Sequence, residues 1–210
     1  MVTAHDALRD EALGCVRCRL SEQRTQVVFG SGDPDADVMF VGEGPGAEED
    51  RQGVPFVGRS GQLLDRLVGE EMGLTRDRCY IANVVKCRPP DNRDPRPDEV
   101  AACRPYLEEQ VRLVAPKVIV TLGNFASRLL LDTSEGITRL RGRSYAYGAA
   151  HLVPTFHPAA VLRGGGAAMA GMRADLVRAR QLLGDAAPAG GSAPEGPEPA
   201  PGPATTGSAR

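Results

Sequence analysis

The sequence predicts an α/β fold, a three-layer α/β/α sandwich around a central, largely parallel four-stranded sheet, and three observations carry the prediction. Four short apolar runs, "DVMFV", "CYIANVV", "KVIVTLG" and "AHLVPTF", have the length and density of strands buried on both faces. Segments with helical spacing of apolar residues alternate with them, the pattern that builds a parallel sheet covered on both sides. Hydrophobic residues make up 41 % of the 210 residues, enough for one real core.

The elements follow in order. The start, "MVTAHDALRDEALG", is charged, lacks the apolar stretch of a secretion signal, and leads as a short helix into the first cysteines. Asp37 to Val41 is the first strand, between a Pro-Asp turn and the loop "GEGPGAEED". Between Arg59 and Gly73, the residues Leu63, Leu64, Leu67 and Val68 recur at helical spacing, and Gly73 closes the segment as a C-cap. The second strand runs from Cys79 to Val85.

Residues 88 to 97, "RPPDNRDPRP", are neither helix nor central strand, because the prolines at 89, 90, 95 and 97 remove backbone donors. Pro97 suits a first helical turn, and Val100, Cys103, Leu107, Val111 and Val114 then share one face, which puts Cys103 on a core-facing stripe. Lys117 to Gly123 is the third strand, Asn124 to Leu131 a helix, Ala150 to Phe156 the last strand, and Met169 to Leu183 roughly the final helix.

Residues 1–184 are expected to form one domain. From Asp185 the text turns rich in Pro, Gly, Ala and Ser without periodicity, so 185–210 is expected to be a disordered tail. The longest uncharged run, Ser144 to Leu162, is broken by Gly148, Pro154 and Pro158, which argues against a membrane span. A monomeric, cytoplasmic protein is expected.

The formal net charge is -2, and the tail's Asp185, Glu195 and Glu198 against Arg210 account for it, so the body is balanced. Contact with nucleic acid would have to come from local basic patches. Lys86, Arg88, Arg93 and Arg96 form the clearest one, interleaved with Asp91, Asp94 and Asp98.

Ligands of such sheets sit at the carboxyl ends of the strands, and the loops 42 to 58, 83 to 97 and 157 to 163 occupy that position. Gly42-Glu43-Gly44-Pro45-Gly46 lacks the spacing of a dinucleotide loop, and its glycines let backbone amides approach a ligand closely. Phe56 is either a stacking platform or an ordinary core residue. Asn83, at the end of an apolar strand, either caps the turn or turns a buried amide toward a ligand.

Four of the five cysteines follow the pattern C-x2-C-x68-C-x15-C: Cys15, Cys18, Cys87 and Cys103. In a reducing compartment functional cysteines are more often ligands or nucleophiles than disulfide partners. Four thiolates could hold zinc or an iron-sulfur cluster, and a zinc ribbon would more usually close with a second tight pair. The bland alternative keeps Cys103 as a core residue and the others as incidental, and Cys79 reads as a buried apolar residue.

Taken together, "GEGPG", "PFVGRSGQLLD", "NVVKCRPPDNRDPRPDE" and "HPAAVLR" closely resemble the family 4 uracil-DNA glycosylases, the iron-sulfur branch of that superfamily, over roughly residues 10 to 183. The resemblance implies an enzyme that flips uracil out of single- or double-stranded DNA and hydrolyses its glycosidic bond. It implies a 4Fe-4S cluster on Cys15, Cys18, Cys87 and Cys103. By the same resemblance Gly42, Glu43, Gly44, Glu49, Phe56, Asn83 and His157 form the uracil pocket, with Glu49 near the C5 position.

His157, Glu43 and Asn83 are the expected catalytic set: His157 donating to uracil O2 as charge develops there, Asn83 reading N3-H and O4, and Glu43 helping to orient water. Val161 and Leu162 are implied as a minor-groove wedge, with Arg163 on a phosphate; without the resemblance "AAVLR" would be a plain helix start. Lys86 and Arg88 are expected to contact phosphate. Two other readings remain: a related branch that captures uracil-DNA covalently through a histidine in the loop after the second strand, which this loop lacks, and a non-enzymatic iron-sulfur DNA-binding sensor.

Overall fold

The computed structural model describes residues 2–184; the tail expected at 185–210 lies outside the described residues. Strand β1 is Ser31–Gly32, β2 is Val38–Gly42, β3 is Tyr80–Asn83, β4 is Val118–Leu122, β5 is Tyr145–Tyr147 and β6 is Ala150–Thr155, in the spatial order β1-β3-β2-β4-β6-β5. The four strands expected from their apolar runs form the parallel centre, β3-β2-β4-β6. The sheet has six strands rather than four, because β1 and β5 add short antiparallel edges. Two and three residues long and only partly buried, these edges carry no apolar run to read.

Side chains alternate across the sheet, so each strand feeds two cores. Val38 and Phe40 of β2 join Ile81, Val118, Val120 and Val153 on one face, under α3 (Arg59–Met72) and α7 (Pro158–Gly184). Met39 and Val41 join Tyr80, Ala82 and Ile119 on the other, under α1 (Ala4–Leu13), α4 (Pro97–Val114) and α5 (Asn124–Leu131). Two short helices, α2 (Ala47–Gln52) and α6 (Ile137–Leu140), lie in the connections.

Local chemistry sets the boundaries. Gly73 ends α3 in the left-handed conformation, and Pro97 opens α4 at its first turn. Pro154 is tolerated within β6 because the residues on either side of it face β4, whereas its missing N–H points to the side where β5 has already ended opposite Leu152. The final helix begins at Pro158, well before Met169, and is broken at Gly165 (φ 69°, ψ -156°). The glycines at 164 to 166 masked its first turns in the sequence.

The chain steps from β2 to β3 on one side and then crosses back past β2 to β4, and this reversal opens a crevice at the carboxyl ends of the strands. A buried ion pair fastens the end of β6 beside that crevice. Asp175, 1 % exposed, accepts from Thr155 Oγ1 at 2.8 Å, Arg141 Nε at 2.9 Å and the Gly142 amide at 3.1 Å. Removing one partner of such a pair leaves the other charge uncompensated. Asp175→Ala is expected to cost about 3 kcal/mol or more, seen as a lower urea midpoint with an unchanged m value.

Candidate active site

The crevice is a long open groove, and four parallel strands deliver side chains to its floor. β2 ends at Gly42 and passes into Glu43 and Gly44; β3 ends at Asn83; β4 ends at Leu122, before Gly123 and Asn124; β6 ends at Thr155, two residues before His157. Backbone pairing continues past the strand ends, with the Val84 amide on Gly42 O at 2.9 Å and the Val85 amide on Glu43 O at 3.1 Å. The backbone pairing of the sheet therefore extends into the loop bases.

Gly42 is set by space. A Cβ there would lie 2.4 Å from Asn83 Oδ1 and 2.6 Å from the Phe56 ring, so only glycine lets these two side chains close over β2. Phe56 itself sits at φ 52°, a conformation that costs a non-glycine residue of order 1–3 kcal/mol. Three contacts hold it there. Arg76 donates to the carbonyls of Phe56 and Pro55, Glu49 accepts the amides of Val57 and Gly58 at 3.0 and 2.9 Å, and Gly61 leaves room for the Phe56 carbonyl, which a Cβ would meet at 1.7 Å.

Glu49 also accepts the Gly46 amide at 3.1 Å, so its carboxylate ties the start of α2 to the Phe56 turn. Within the groove its oxygens are engaged with three backbone amides. The acidic run in the sequence gave no sign of this stapling role.

Asn83 is 1 % exposed, and its Oδ1 is buried without a hydrogen-bond partner among the described residues. An orphaned buried acceptor costs roughly 1–3 kcal/mol, which makes it a standing acceptor for a ligand N–H. The Phe56 and His157 rings lie 5.8 Å apart, tilted by 35°. His157 Nδ1 accepts the Ala159 amide at 3.1 Å, which fixes the neutral tautomer with its proton on Nε2. Burial, with Arg163 nearby and Glu49 opposing, pulls the His157 imidazole down to about 4, so it is neutral at ordinary pH.

Glu43 behaves oppositely. Burial, then the charge of Asp94 and a hydrogen bond to it, push its carboxyl up to about 7. Asp94 comes from the proline-rich loop, which places that loop over the groove.

Two expected DNA contacts are corrected by burial. Lys86 is 2 % exposed, with its ammonium on Asn83 O at 2.7 Å and Gln110 Oε1 at 2.5 Å, so it cannot reach a phosphate. Val161 is 2 % exposed and packed into the core beneath α7, so it is no wedge; Leu162, one residue on, is 44 % exposed. Within the expected basic cluster, Arg93 is bound through both terminal nitrogens to buried Glu99, at 2.8 and 2.6 Å. Arg88 remains at the surface, with Nε on Asn92 Oδ1 at 2.8 Å, and Arg163 is exposed beside His157. Arg59 and Ser60, at the start of α3, also line the groove; their place after Gly58 at a helix start was the available signal.

On the opposite side of α4, Cys15, Cys18, Cys87 and Cys103 line one shared cavity with Arg17, Arg24 and Lys86. None is disulfide-bonded. Two already accept N–H donors: the Lys86 amide on Cys103 Sγ at 3.3 Å and Arg24 Nη1 on Cys87 Sγ at 3.4 Å. Among the described residues no three His, Cys, Asp or Glu converge tightly enough for a single ion. Four thiols spread around a cavity, with cationic and N–H donors aimed at sulfur, fit a larger anionic group held by thiolates. Cys79 is buried in the core away from them.

The chain is similar to known proteins over most of its length. Residues 29–179 match the family described as the uracil DNA glycosylase superfamily. The chain is 46 % identical over 165 residues to a type-4 uracil-DNA glycosylase of Sulfurisphaera tokodaii, covering 75 % of each chain. It is 48 % identical over 151 residues to the type-4 enzyme of Thermotoga maritima, covering 71 % of this chain and 78 % of the relative. A type-5 uracil-DNA glycosylase of Thermus thermophilus is more distant, 33 % identical over 142 residues, with 60 % of this chain and 64 % of the relative covered. By motif, fold and similarity over most of its length, the chain belongs to the type-4 family of the uracil-DNA glycosylase superfamily.

Proposed function

We infer that this protein excises uracil from DNA by hydrolysing its N-glycosidic bond, leaving an abasic site. The observation that carries the reading is the orphaned Asn83 amide at the floor of a groove, beneath Phe56 and beside a neutral, Nε2-protonated His157. A base cannot be cut from its sugar within the stack, so the nucleotide is flipped into the pocket.

There Phe56 stacks on the ring, Asn83 accepts from uracil N3–H and donates to O4, and the reversed pattern of cytosine is rejected. His157 donates from Nε2 to O2 as negative charge gathers on the departing base; a neutral donor stabilises that charge without holding the ground state as tightly. Glu43, ionised above about 7, orients the water that meets the sugar. Gly42 and Gly44 keep the floor open, and Glu49 acts through the Phe56 turn. Leu162 fills the vacated stack, while Arg163, Arg88, Arg59 and Ser60 meet the backbone.

The cysteine cavity is read as the seat of a 4Fe-4S cluster on Cys15, Cys18, Cys87 and Cys103. When bound, such a group supplies a covalent cross-link between the N-terminal segment, the end of the β3 loop and α4. Its net negative charge matches Arg17, Arg24 and Lys86 around the cavity.

The test is an oligonucleotide with one deoxyuridine, incubated and then treated with alkali. Scission by the wild type and a rate lowered about 10²- to 10³-fold in His157→Ala, the usual loss when such a donor is removed, are expected. A heat-stable shifted band would mean covalent capture, and intact, unshifted DNA would leave a binding sensor. As pH is lowered, the single-turnover rate should fall first through about 7, where Glu43 takes up a proton, and a second time below about 4, where His157 takes one up. Glu43→Gln should abolish the limb near 7, and Asp94→Asn, by removing the raising charge, should move it to lower pH. Leu162→Ala should weaken turnover on duplex more than on single strands, whereas Val161→Ala should lower thermal stability without that strand preference.

A further inference from the structure

The one fully buried lysine joins the uracil floor to the interior, and its placement is not explained by DNA contact. Along β3 the residues alternate, and the Val84 amide points to β2; the backbone of Asn83 therefore faces the other way, where β1 pairs only as far as Ile81. Its carbonyl is an edge group with no strand beside it, and Lys86 Nζ fills that place at 2.7 Å. The ammonium is held in turn by Gln110 Oε1 at 2.5 Å, and Gln110 Nε2 is fixed by Phe29 O at 2.8 Å and the Tyr80 hydroxyl at 2.9 Å. Tyr80 closes the chain on His5 of α1 at 2.8 Å.

A buried ammonium is costly and needs fixed partners. Here both named acceptors are neutral, and among the described residues no carboxylate pairs with it. What the arrangement fixes is the plane of the peptide after Asn83, and with it the direction of the Asn83 side chain over Gly42. On the uracil-excision reading, we propose that Lys86 is a positioning residue for base recognition: its ammonium, braced by Gln110 from α4, pins the Asn83 carbonyl so that the amide meets the uracil edge in one orientation.

The consequence is a coupling between Lys86 and Asn83. Because a small misplacement of a reading group is costly, Lys86→Met should lower kcat/KM on deoxyuridine roughly tenfold or more. It should also weaken binding of free uracil, measured by calorimetry, and narrow the preference for uracil over cytosine. In an Asn83→Ala background the same substitution should have little further effect, since there is no amide left to aim. The wild type, assayed beside the variants, tests the uracil-excision reading itself, and iron content with thermal unfolding reports whether each variant is folded and loaded.

Undiminished uracil affinity in a folded Lys86→Met protein would overturn the proposal, as would losses that simply add to those of Asn83→Ala. If Lys86→Met does not fold, Gln110→Met, which removes only the brace, is put through the same cycle and decides by the same criterion.

Discussion

The missing side chain at Gly42 is the constraint on which the pocket depends. Any Cβ there would strike both Asn83 and Phe56, so the closeness of those two groups exists only because β2 ends in glycine. The rest of the local structure holds the two sides of that contact. Phe56 stays in a costly conformation because Arg76, Glu49 and the space above Gly61 determine its peptide. Asn83 stays because its strand pairs with β2 on one side and its carbonyl meets Lys86 on the other.

Much of this was legible in the sequence wherever the cause was local. The apolar runs marked the four parallel strands, Gly73 and Pro97 marked helix ends, and Asn83 and His157 stood at strand ends where ligands of such sheets bind. What escaped had non-local causes. Lys86 looks like part of a basic patch because it stands beside Arg88; its burial depends on Gln110, far along α4. Arg93 looks free until the loop brings it back on Glu99.

Val161 and Leu162 show the same limit on a smaller scale. Neighbours on a helix point about 100° apart, so only one of them can face the core, and nothing in "AAVLR" says which. The packing of α7 against α3 and the sheet selects Val161 for the interior and leaves Leu162 outside. The edge strands were invisible for a different reason: two or three half-exposed residues have no period to detect.

The electrostatics of the groove follow from the same architecture. Partial burial acts on both Glu43 and His157, and burial disfavours whichever form is charged. It therefore raises the carboxyl and lowers the imidazole, and the neighbours reinforce each shift: Asp94 beside Glu43, Arg163 beside His157. One environment thus drives an acid and a base apart, leaving near neutral pH a carboxyl poised to ionise and an imidazole that stays an uncharged donor. Asp94 belongs to the loop that leaves Cys87, so a segment rooted at the cysteine cavity adds to the burial that raises the Glu43 carboxyl.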